Sequence, residues 1–146
     1  MKIPSFAFSL ALFIFTSSVF AGGDDARQLI PMPPMMQQHM LRNMRDHLAA
    51  VAEIQQALGS GAFERAADIA ENRLGMSSLA SHDAAHMAPH MPKEMQEIGT
   101  QMHREASQFA RLAQEAAVDM NVKQAIAKLA SLTQQCVACH AAYRIQ

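Results

Sequence analysis

Apolar residues recur every three or four positions along four stretches of this chain, and each stretch reads as an amphipathic helix. In the first, Met40, Met44, Leu48, Val51, Ile54 and Leu58 form one face. Pro33-Pro34 predicts its start, because proline is tolerated in a first turn, and Gly59-Ser60-Gly61 predicts its end near Leu58. The second is predicted from about Phe63 to Leu79 on a weaker stripe of Phe63, Ala66, Ala67, Ile69, Ala70 and Leu74, with Gly75 as a kink or stop. Pro89 and Pro92 argue against a continuous helix through residues 80–92. The third is predicted from Pro92 to Val118, with Met95, Ile98, Met102, Ala106, Phe109 and Leu112-Ala113 inward. Asp119-Met120-Asn121 reads as a turn, with Asn121 as an N-cap. The fourth runs from about Val122 to Arg144, with Val122, Ala125, Ile126, Leu129, Leu132, Cys136, Cys139, His140 and Tyr143 mostly on one side. Four such helices on short connections predict an all-α, antiparallel, left-handed four-helix bundle, a fold that can hold a cofactor between facing helices.

The first 33 residues differ from the rest. Met1-Lys2 is a basic start, Phe6 to Phe15 is almost wholly apolar, and Val19 and Ala21 suit a cleavage site. Residues 1–21 therefore read as a secretory signal peptide cleaved after Ala21, so the mature chain is expected to be exported. The apolar run is short for a membrane span of about 20 residues, so no span is expected in the mature chain. Residues 22–33 read as a polar, Pro-rich lead, and residues 34–146 as the helical domain. Composition supports helix over sheet: Ala is abundant, Trp is absent and Tyr143 is the one tyrosine. Twelve Lys+Arg against 13 Asp+Glu leave no basic patch for nucleic acid.

The candidate chemistry lies in Cys136-Val137-Ala138-Cys139-His140. Cys-x-x-Cys-His is the attachment signature of a c-type haem. Two thiols three residues apart share one side of a helical turn and can both form thioethers to the haem vinyl groups. The next residue, His140, presents an imidazole to the iron. Other readings of the pair are a redox dithiol, which needs a βαβ setting absent here, a disulfide across a very small loop, and half of a zinc site completed by spare histidines. A second cluster, His82, His86, Met87, His90 and Met91, joins imidazole to thioether, a donor set that suits copper. Its bland reading is a hydrated polar loop. His39, His47 and His103 lie elsewhere. No Ser-His-Asp order, Gly-rich phosphate loop or Glu-x-x-His motif supports an enzyme.

A Cys-x-x-Cys-His-x-x-Tyr-Arg segment ending a four-helix chain resembles the class II c-type cytochromes, the cytochrome c′ family. The specific match covers residues 136–144. The resemblance implies a covalent haem c on Cys136 and Cys139, His140 as the proximal ligand, and Arg144 one helical turn on, beside that imidazole. It also implies redox partner proteins and pairing of two copies through their first helices. In the family the first helix lines the distal side of the iron. A methionine there makes a low-spin electron carrier, whereas a small apolar residue leaves the iron open to nitric oxide or carbon monoxide. Met40 is the first candidate for the distal ligand, followed by Met44 and Met36; His39 and His47 are further alternatives. The chain departs from the family one turn before Met40: many members carry a propionate-binding arginine there, and this chain carries Met36. Arg42 and Arg45 are the nearby substitutes. The expected function is electron transfer, with gas binding and copper binding as alternatives.

Overall fold

The computed structural model describes residues 25–146. The signal peptide expected at residues 1–21 lies outside the described residues. The described chain is mostly helical. Helix α1 spans Pro34–Gly59 and α2 spans Phe63–Arg73. A short α3 spans Ala84–Met87, α4 spans Lys93–Asp119 and α5 spans Lys123–Ala142. Single 3-10 turns occupy Met76–Ser78 and Ala88–His90. Two three-residue strands, β1 (Gln28–Ile30) and β2 (Tyr143–Ile145), pair in parallel, with Leu29 opposite Arg144.

Local chemistry explains where the helices stop. Gly61 takes φ +74°, open to glycine at no steric cost, and lets the Ala62 N–H return to the Ala57 carbonyl at 2.8 Å. Met120 ends α4 in the left-handed region, and its N–H donates to the Ala116 carbonyl at 2.9 Å. Asn121 Oδ1 accepts the N–H of Lys123, the first residue of α5, at 3.3 Å.

Helix α4 packs against both α2 and α5, and α2 packs against α1; α1 has no comparable backbone contact with α4 or α5. The main core is built largely of alanine around Ile54, Leu74, Phe109 and Leu132. Small side chains let helix backbones approach closely, which explains the tight seams along α2 and α4. A second core of Ile30, Met32, Met40, Met87 and Met95 lies beside it. It gathers α1, the α3 segment, the start of α4 and the two strands.

Several expectations are corrected. The second helix ends at Arg73, not Leu79, because the Gly75 N–H turns back to the Ala70 carbonyl at 2.7 Å. The last helix ends at Ala142, and Tyr143–Ile145 is extended. The described part of the polar lead is structural: Ile30 is 3% exposed and Met32 is also buried. Strands of three residues are too short to show a period-two pattern. Ile126 faces solvent, and Leu48, expected inside, is 73% exposed, whereas His47 beside it is buried.

Candidate functional site

Cys136 and Cys139 are free, half-buried thiols on the last two turns of α5. Burial pushes both thiols up from their ordinary value, and Cys136 pushes Cys139 further. Reactive Cys-x-x-Cys dithiols depend instead on a lowered pKa, so this environment does not favour a redox dithiol.

The thiols face the side of α5 where α1 stands off. Three cavities of about 190, 270 and 370 Å³ lie there, and Met44 and Cys139 border all three. The largest runs along Leu48, Val51, Ile98, Met102, Cys136 and Val137 to His140. Its rim includes Leu48 and Val137, the latter 59% exposed. Such exposure of large apolar side chains around a cleft marks a binding groove. The cavity near the strands is bordered by Arg27, Met40, Met44, Met95, His140 and Arg144. Met36 borders none of these three cavities.

His140 is exposed, and its carbonyl accepts a hydrogen bond from Arg27 Nη1 at 3.4 Å. Arg144 is not one helical turn beyond it as expected, because the helix has already ended. Its strand carries it to the cavity wall, where Nε is buried without a hydrogen-bond partner. The Asp25 carboxylate at 3.6 Å is too far to count as one. Asp25 is instead committed to Arg27 at 2.6 Å. The Arg27 guanidinium holds the Asp25 carboxyl down to about 2.

The His/Met segment does not act as one loop. His82 turns inward and meets His47 from α1 and His103 from α4. Ring centroids lie 4.7 Å apart for His47–His82, 5.5 Å for His82–His103 and 6.1 Å for His47–His103. Met87 is buried and His86 exposed. His86 and His90, expected on one side of a turn, are separated by the change from α3 to a 3-10 turn. His39 Nε2 and Asn43 Nδ2 donate to the His82 carbonyl at 2.9 and 3.2 Å, pinning this segment to α1. Burial lowers the pKa of His47 to about 4, with His82 and His103 adding to the effect. His82 and His103 are also lowered, chiefly by burial. Among the described residues, no three His, Cys, Asp or Glu side chains are arranged to hold a metal ion between them.

Sequence reasoning missed this trio of imidazoles. Two of its members carry a signal in hindsight: His47 continues the Met40-Met44 stripe, and His103 precedes Ala106 by three. His82 carries none, since its position depends on how the connection folds. Comparison of the chain with known protein families, curated proteins and solved structures gives no match.

Proposed function

We propose that this protein is a periplasmic c-type cytochrome that carries electrons and binds no substrate. The observation that carries the reading is the convergence of the Cys136-x-x-Cys139-His140 segment on apolar cavities faced by methionines of α1. The residues present suit a haem c. Cys136 and Cys139 supply thioether bonds from one side of α5. His140 supplies the proximal imidazole. Leu48, Val51, Ile98 and Val137 cover an apolar macrocycle and regain the burial they lack here. The unpartnered Arg144 Nε and the nearby Arg27 suit anionic propionates.

A haem held this way supplies one-electron exchange between ferric and ferrous iron, and a thioether opposite histidine raises its potential. A haem c would be held by residues of α1 and α5, two helices whose backbones do not otherwise meet closely. Met44 is preferred over Met40 as the distal ligand. Met44 borders both cavities that His140 borders, whereas Met40 borders one, so Met44 would be the better placed of the two to hold the iron with His140. Redox proteins meet the exposed rim around Leu48 and Val137.

The test is the visible spectrum of the purified protein, ferric and ferrous, with and without carbon monoxide. The expected result is a low-spin haem c with the weak far-red methionine–iron band, unchanged by carbon monoxide. That band should vanish in Met44→Ala and survive in Met40→Ala. A high-spin spectrum that shifts with carbon monoxide would replace electron transfer with gas binding. Absence of covalent haem would overturn both.

A further inference from the structure

We propose that the cavity between α1, α4 and the residue 79–91 connection is a Cu(I) site, with His47 and His82 as nitrogen ligands and Met102 as a thioether ligand. Neither histidine belongs to the haem-attachment segment, although Cys139 borders the same cavity, and the proposal does not depend on the haem reading.

The hydrogen bonds around the trio fix which ring nitrogens are free. The Ser78 hydroxyl donates its one hydrogen to the Gly75 carbonyl at 2.7 Å. Toward His82 Nδ1, at 3.3 Å, Ser78 Oγ can therefore only accept. His82 thus carries its proton on Nδ1 and presents a lone pair on Nε2. His103 is oriented alike, since its Nδ1 donates to the Leu74 carbonyl at 2.7 Å. Outer groups that hold one ring N–H and leave the other nitrogen bare are the usual support of metal-binding histidines. His47 adds the second observation. It is 9% exposed, and its Nε2 is buried with no hydrogen-bond partner. A buried nitrogen left unsatisfied is costly, and a bound ion removes that cost.

Geometry and softness select the ion. Metal–imidazole bonds of about 2 Å hold the centroids of two rings sharing one ion about 5 Å apart, and the His47–His82 separation is 4.7 Å. Among the described residues no third nitrogen, carboxylate or thiolate stands in position, so further protein ligation comes from thioether sulfur. The cavity offers six methionines: Met40, Met44, Met87, Met91, Met95 and Met102. Thioethers favour Cu(I) over zinc or harder ions. Met102 is the one assigned because, like His47, it borders both this cavity and the largest one. Met44 does so too but is less buried than Met102, which is 7% exposed.

The experiment is an anaerobic competition titration of the purified full chain with Cu(I) and the chromophoric chelator bicinchoninate. Haem absorbance and far-ultraviolet circular dichroism are recorded on the same samples. The wild-type chain should withdraw one Cu(I) per molecule. His47→Ala and His82→Gln should each weaken binding by about 100-fold, and Ser78→Ala, which releases the His82 ring and the Gly75 carbonyl without removing a ligand, by about 10-fold. His86→Ala/His90→Ala should bind as wild type. X-ray absorption should report nitrogen and sulfur around copper, with sulfur lost in Met102→Leu. No withdrawal of copper by the folded wild-type chain would overturn the proposal. So would loss of binding in His86→Ala/His90→Ala with retention in His82→Gln, which would move the copper to the surface. A chain that binds copper but carries no haem would sink the cytochrome reading alone.

Discussion

The two cores of this molecule are built from different materials. One is alanine with a few large anchors, Ile54, Leu74, Phe109 and Leu132, and its helices lie close together. The other is methionine with histidine and cysteine at its border, and cavities lie along it. Alanine has no rotamers to lose and fixes backbone spacing. Methionine is flexible and polarizable and adapts to whatever it packs against. The contrast separates a region that is finished by folding from one shaped to receive something.

The sharpest way to break this contrast is to open the finished region. Phe109→Ala removes the largest fully buried side chain and should cost about 3–5 kcal/mol in urea unfolding. The cost should be the same with and without haem. A loss that appears only in the haem-loaded protein would mean that the two cores are one cooperative unit.

Acid should strike the other region. His47, His82 and His103 have lower pKa values folded than unfolded. Below about 6.5, the ordinary histidine value, the unfolded chain binds more protons than the folded one. Stability is therefore full above that pH and falls as pH drops toward 4, the region where folded His47 titrates. For His47 alone the loss is on the order of 3 kcal/mol. Thermal melts of the metal-free protein from pH 7.5 to 4 should follow this course, and His47→Phe should flatten it. A slope unchanged in that variant would put the acid sensitivity elsewhere.

The smallest effects should come from adding or exchanging bulk. Ala106 is fully buried, and Ala106→Leu should cost about 1–3 kcal/mol through overpacking. Met95→Leu nearly conserves volume and should cost under about 1.5 kcal/mol. Equal costs at the two sites would erase the distinction.

Much of the first region was legible in the sequence. The i, i+3, i+4 stripes gave the starts of the long helices within a residue or so, and the Gly59–Gly61 break marked the end of α1. The stripe of α1 was read slightly out of phase. Leu48 is more hydrophobic than His47, so hydropathy favoured it, but His47 faces the interior because two other imidazoles await it there. The thiols and His140 were legible because Cys-x-x-Cys-His is a local pattern that needs no knowledge of the fold. The parallel strands were not, since their pairing spans most of the chain and leaves no local pattern. Nor was the inward turn of His82, which depends on Ser78, His39 and Asn43 acting together. The charge pair across α4 and α5, Glu105 with Lys128 at 2.9 Å, was equally invisible.

The pairing of Gln28–Ile30 with Tyr143–Ile145 also bears on the order of events in folding. A contact between such distant segments closes slowly, because the loop entropy must be overcome before the strands gain their bonds. β2 follows His140 by only two residues. Until that clasp forms, the turn bearing both thiols is anchored on its α4 side alone. The strand pair is thus a late closure, formed only after the helices it joins to the chain ends have been brought together.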